Sequence, residues 1–250
     1  MNIIKLNAIE STNLYLKKLA VEKDTESYTV VTANYQSAGR GQMGAAWQSE
    51  AGNNLTFSIL IKFDSFDIDQ QFYLSMAVSL GLLAVIRQHI STPLFIKWPN
   101  DILAEKDKLA GILIENIIGG NLIKQTVIGI GLNVNQLQFP VIIGNVTSLK
   151  ILTGKSFDRD SLLASVVISI QNFVGYIDRK EFQKLKELYL KSLYKFQKPA
   201  MFEDNKGTIF LGKIVDVFKD GKLVVEMANE KTRKFNLKEI KFASRSNQIS

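Results

Sequence analysis

The chain has 250 residues, 46% of them hydrophobic and 22% charged, with four prolines, no cysteine and a formal net charge of +7. That length and apolar content bury one sizeable core plus at most a small appended domain, and they exclude a disordered or fibrous chain. Without cysteine there is no disulfide, thiolate metal site or cysteine nucleophile; with the lysines scattered rather than clustered, the charge fits an acidic protein partner at least as well as a nucleic acid.

The first residues mix polar and apolar side chains, so neither a signal peptide nor a membrane span is expected and a cytoplasmic protein is the default. Ile3 to Leu6 reads as a short strand, and Ser11-Thr12-Asn13 offers caps for a helix carrying Leu14, Leu16, Leu19 and Ala20. No helix-turn-helix pattern precedes this segment, so specific DNA binding and repressor activity are not expected. Thr29 to Ala33 is a β-branched strand leading into a glycine-rich loop, Ser37 to Trp47, and Leu55 to Ile61 is the next strand. Gln71 to Ile90 has the spacing of a helix with one buried face, through Phe72, Met76, Leu80, Leu83 and Ile86. The only histidine, His89, falls at its polar end as a surface residue, which leaves histidine triads and two-histidine zinc motifs without members. No metal ligand set is expected. Strands follow at Leu94 to Lys97, Asp101 to Ala104, Leu109 to Glu115 and Leu122 to Ile130, the last two joined by a hairpin at Gly119-Gly120-Asn121. Helices at Arg159 to Ile177 and Glu181 to Leu193 complete an α+β domain with helices on a mixed sheet. From Gly207 the pattern turns to short strands, Thr208 to Leu211, Lys213 to Phe218, Leu223 to Glu226 and Thr232 to Phe235, expected as a small β-barrel. A boundary near Gln197-Lys198-Pro199 divides the chain into residues 1–197 and 198–250.

Three segments carry chemistry. Gly39-Arg40-Gly41-Gln42-Met43-Gly44 has the spacing of a dinucleotide fingerprint, but it leads into a strand and not the helix that such a loop requires. It reads instead as a mobile loop bearing Arg40 over a bound anion, with a surface turn as the plain alternative. Lys97-Trp98-Pro99-Asn100-Asp101 is followed by Lys108-Leu109-Ala110-Gly111, where Lys108 heads an apolar strand beside a pocket and Gly111 lets a ligand approach the backbone. A solvated hairpin with a core Trp is the alternative. Val127 to Asn135 sets Gly129, Gly131, Asn133 and Asn135 on one alternating face, an arrangement suited to a flat ring and a nucleobase edge or, more plainly, to a β-bulge.

In this order Ser11-Thr12-Asn13, Gln36-Ser37-Ala38-Gly39-Arg40-Gly41, Lys97-Trp98-Pro99-Asn100-Asp101, Lys108 to Leu113 and Gly129 to Asn133 resemble the biotin protein ligase family. The resemblance implies a fold akin to class II aminoacyl-tRNA synthetases with an SH3-like C-terminal domain. It also implies a reaction in which biotin and Mg-ATP give biotinoyl-5′-AMP, whose acyl group passes to a lysine of the biotin carboxyl carrier protein. By position, Ser11, Thr12, Asn13 and Gln36 would line the biotin ureido site, Gly39, Arg40, Gly41 and Gln42 the loop over the intermediate, and Trp47 and Gly111 the acyl tail. Lys108 would neutralise carboxylate and phosphate, Lys97 and Asn100 would lie on the nucleotide, Asn133 would face adenine, and Asp101 would orient the incoming lysine or bind magnesium. Gln42 departs from the arginine many members carry there, so weaker retention of the adenylate is expected. The nearest rival is a lipoyl or octanoyl transferase on a related fold; a small-ligand or nucleic-acid binding module is the non-enzymatic one. A homodimer through an exposed sheet edge is possible, with no edge located.

Overall fold

The computed structural model describes residues 2–140 and 145–243. Ile3–Ile9 (β1), Thr12–Glu22 (α1) and Val30–Gln36 (β2) open the chain. The intervening helix returns the chain so that β1 and β2 pair in parallel, Ile3 beside Val30. Leu55–Lys62 (β3) then joins β2 antiparallel. Leu94–Lys97 (β4), Asp101–Ala104 (β5), Asp107–Gly119 (β6) and Leu122–Leu132 (β7) complete a seven-stranded mixed sheet ordered β1-β2-β3-β7-β6-β5-β4. The expected hairpin is present, with Gly119 paired to Leu122 and Gly120 at φ 65°.

The central strand β3 is buried along all but its last residue because both faces of the sheet are covered. On one face α1 inserts Leu16 against Val31, Leu60 and Val127. The other carries Phe72–Ile86 (α2) and, after the short Leu149–Thr153 (α3), Arg159–Asp178 (α4) and Phe182–Ser192 (α5). The sequence misses α3, a five-residue turn capped by Ser148. Helix α2 differs from expectation twice. It ends at Ile86, leaving His89 exposed beyond it, edge-on to Phe157. It is also buried all round, not on one face, since α4 and α5 enclose it against β4 and β5. Gly81 permits this: a Cβ there would lie 2.8 Å from Ile170 Cα. Helix α4 has the length and apolar composition of a membrane span. Its buried residues, however, follow helical spacing through Leu163, Val167, Ile170 and Val174 and face the core.

Pro199–Asp204 (β8), Ile209–Val217 (β9), Leu223–Met227 (β10), Thr232–Phe235 (β11) and Ile240–Phe242 (β12) form a second, antiparallel sheet ordered β11-β10-β9-β8-β12, consistent with an SH3-like domain. The sequence reading misses β8 and β12 and divides β9 at Gly212. That glycine makes no turn; a Cβ there would meet Val225 Cγ1 at 2.5 Å, so it serves close passage of β10. The Asp220-Gly221 turn stands where expected, with Gly221 at φ 92°. Trp98 Nε1 donates to the Gly221 carbonyl at 2.9 Å, tying the small sheet to the large one. Residues 244–250 of the expected barrel lie outside the described residues.

Candidate active site

On the face that carries α1, strand register lays a floor almost without side chains. Thr56 pairs with Gly131, Gly131 with Gly111, and Gly111 with Asp101; in the next row Ser58 pairs with Gly129 and Gly129 with Leu113. A cavity of about 590 Å³ lies over these rows.

One end of it is polar. Ser11 caps α1, accepting weakly from Leu14 N at 3.5 Å, so the helix presents Thr12 and Asn13 at its first turn. Thr12 N donates to Gln36 Oε1 at 2.7 Å, and Thr12 Oγ1 lies 3.0 Å from the same oxygen. Ser58 Oγ lies 2.7 Å from Thr12 Oγ1 and 2.6 Å from Asn13 Oδ1. Asn13 Nδ2 donates to Glu115 Oε2 at 2.9 Å, and Lys17 Nζ meets the other oxygen of that carboxylate at 3.0 Å. Burial pushes the Glu115 carboxyl up, but the hydrogen bonds from Asn13 and Lys17 and the charges of Lys17 and Arg40 outweigh it and hold it below the ordinary glutamate range.

The opposite end is charged. Lys108 Nζ bonds Asp101 Oδ1 at 2.7 Å and stands 5.8 Å from the centre of the Trp47 ring. Asn100 holds the turn before β5 against β6, its Nδ2 donating to Ile112 O at 2.6 Å while its carbonyl accepts from Ile112 N. The glycine loop forms the roof as a small hairpin: Arg40 bridges Ala46, Gly41 N donates to Ala45 O, and Trp47 N donates to Gly39 O. Gly39 is required because a Cβ there would lie 2.4 Å from Trp47 O. The Trp47 indole descends onto the floor, where a Cβ on Gly131 would lie 2.1 Å from Cε2, and its Nε1 is buried without an acceptor. Side chains of the second sheet, among them Phe202, Asp204 and Phe242, supply a further wall.

Of the residues singled out in the sequence, Ser11, Thr12, Asn13, Gln36, Arg40, Gly41, Gln42, Trp47, Lys97, Asn100, Asp101, Lys108 and Gly111 line this cavity. Gly39 shapes its roof. Asn133 is not brought there. Strand β7 ends at Leu132, and the buried Asn133 spends its Nδ2 on Thr147 O at 3.0 Å, fastening the chain after the strand. Asn135 does the same with Phe157 O. The flat ring that Gly131 admits is the protein's own Trp47, while Gly129 lies under the Asn13 amide. The sequence reading missed Ser58, Lys17 and the role of Glu115; a serine within the apolar run Phe57 to Ile61 was the available signal for Ser58.

The family model described as "Biotin/lipoate A/B protein ligase family" matches residues 6–133. The chain belongs to that family. It is 31% identical over 173 residues to the bifunctional ligase/repressor BirA of Bacillus spizizenii, covering 68% of this chain and 53% of that protein. It is 28% identical over 236 residues to the Bacillus subtilis BirA, covering 93% and 71%. The chain thus spans about half the length of the first of these relatives. The fold matches that of biotin protein ligase from Aquifex aeolicus, solved in complex with biotin and ATP, with a TM-score of 0.79, 24% identity and coverage of 97% of this chain and 99% of the other.

Proposed function

We propose that this chain is a biotin protein ligase: it condenses biotin with Mg-ATP and transfers the biotinoyl group to a lysine of a biotin carboxyl carrier protein. The observation that carries this is the register that sets a polar cluster and the Lys108–Asp101 pair at opposite ends of one glycine floor. The cluster of Thr12, Asn13 and Gln36 offers paired donors and acceptors to a ureido ring, and the Trp47 indole, seated on Gly131 and reaching Gly111, offers an apolar surface to an aliphatic tail. The tail's carboxylate then reaches the charged end. There a carboxylate oxygen attacks the α-phosphorus of ATP, forming the mixed anhydride and releasing pyrophosphate, with Lys108 and Arg40 offsetting the charge of the phosphoryl group. Lys97 and Asn100 lie on the nucleotide side. In the second step the carrier lysine amine attacks the acyl carbon, AMP leaves, and the amine proton is lost. Asp101, already an acceptor for Lys108, is positioned to orient that amine. Magnesium enters as part of the ATP co-substrate, held chiefly by its phosphates.

Residues 1–197 form the catalytic domain in this reading and 198–250 the SH3-like domain. In this reading the reaction runs in the cytoplasm, where ATP and an apo-carrier are available together. Two copies pair through β6, whose outer edge has no strand beyond Gly111 among the described residues. A concentration-dependent mass in sedimentation tests that pairing. The principal test is biotin-dependent ATP–pyrophosphate exchange with wild type and Lys108→Ala. The variant is expected to lose about a hundredfold or more in kcat/KM. Exchange driven by lipoate in place of biotin would move the assignment to the lipoyl branch of the family.

A further inference from the structure

The amide of Asn13 lies directly over Gly129, where a Cβ would come within 2.3 Å of its Oδ1. The two ends of a primary amide are nearly identical in shape, so packing does not choose which end turns inward; hydrogen bonds choose. Ser58 cannot, because a hydroxyl both donates and accepts. Glu115 can. Its carboxylate only accepts, it takes Asn13 Nδ2 at 2.9 Å, and Lys17 keeps it charged from 3.0 Å on the far side. Asn13 Oδ1 is then the end facing Ser58 Oγ at 2.6 Å, so Ser58 donates to it and turns its lone pairs to Thr12 Oγ1. The Thr12 hydroxyl proton then goes to Ser58, and Gln36 is held by the backbone N–H of Thr12, which donates to its Oε1 at 2.7 Å. The Nε2 of Gln36 is thereby left toward the glycine loop, 3.1 Å from where a Cβ on Gly39 would sit. Asn13, Thr12 and Gln36 line the cavity; Glu115 and Lys17 lie behind it.

We infer that Glu115, supported by Lys17, is a positioning residue that sets the donor–acceptor polarity of the ring-binding end of the cavity through Asn13, and with it the selection of a cyclic urea. The inference rests on the ligase reading above. An acid–amide exchange tests it. Asn13→Asp sets two carboxylates face to face, and Glu115→Gln gives Asn13 a neighbour that donates as well as accepts. The double variant restores one donor facing one acceptor, with the bond reversed and an oxygen still turned to Ser58. Each single substitution is expected to raise the KM for biotin about tenfold, with most of the loss in KM and not in kcat, and the double variant is expected to have a KM about threefold or more below that of either single variant. Lys17→Met, which keeps the carboxylate but removes its cation, is expected to raise KM about threefold and serves if either single variant does not fold. An unrescued double variant, or single variants with wild-type KM, overturns the inference while leaving the ligase reading intact. A wild-type protein without biotin-dependent exchange overturns both.

Discussion

Gly131 shows how a single hydrogen in place of a side chain defines the site. A glycine inside a strand weakens it by roughly 0.5–1 kcal/mol relative to alanine, so its presence in the middle of a sheet needs a reason. Here the reason is the Trp47 indole, which fills the space a Cβ would take. Gly131→Ala is expected to expel the ring from the floor and raise the KM for biotin about tenfold or more, as measured by pyrophosphate exchange; an unchanged KM would mean that the indole does not bear on the ligand. Glu115 gives a prediction of another kind. Its carboxyl is held below the ordinary value in the folded state, so the stability it contributes is complete above the unfolded value of about 4.3 and is lost as the pH falls through the lower, folded value. The stability difference between wild type and Glu115→Gln in urea titrations is therefore expected to be level above about pH 5 and to shrink as the pH falls below about 4.3. A constant difference would show that the carboxylate is not stabilised by its partners.

Among the elements, α2 carries the burden of packing. Enclosed by the sheet, α4 and α5, it has room for its closest neighbour only because position 81 lacks a side chain, with Ile170 backbone 2.8 Å from the would-be Cβ. Gly81→Val is expected to cost about 1–3 kcal/mol through overpacking, seen as a lower urea midpoint with an unchanged slope. A wild-type midpoint would contradict the tight crossing. The same helix marks where the sequence was least legible. Its apolar residues at Phe72, Met76, Leu80, Leu83 and Ile86 gave a one-faced helix, because periodicity reports the residues that fit a stripe and not those, such as Leu74 and Val78, that are buried on the opposite face. The strands of the large sheet were readable from β-branched runs and the Gly120-Asn121 turn. In the small sheet β12 has three residues, too few to show a period, and Gly212 imitates a turn signal while serving a close approach. The cavity residues were legible wherever they cluster in a motif. Asn133 stands outside the cavity lining, with its Nδ2 on Thr147 O, a partner fourteen residues on that no motif announces.

Across the whole molecule the two sheets meet around one cavity. The hydrogen bond from Trp98 to Gly221 joins the turn that precedes Asp101 to the turn that precedes β10, so the charged end of the site is anchored to the C-terminal unit. Trp98→Phe keeps most of the packing but leaves the Gly221 carbonyl without its donor. That change is expected to lower the unfolding temperature by about 2–4 °C for a loss near 1 kcal/mol. An unaltered melting temperature would show that the bond is replaced by solvent at no cost. None of this joint was visible in the chain order, since its two partners are separated by more than a hundred residues and neither is unusual in its own segment.

The glycines of β6 and β7 also constrain what substitution can do to this protein's appetite for substrates. Backbone cannot be trimmed, so every replacement at Gly111, Gly129 or Gly131 narrows the channel and none widens it. Any variant that accepts a bulkier or branched acyl chain must gain its space from above, at Trp47 and the hairpin that carries it.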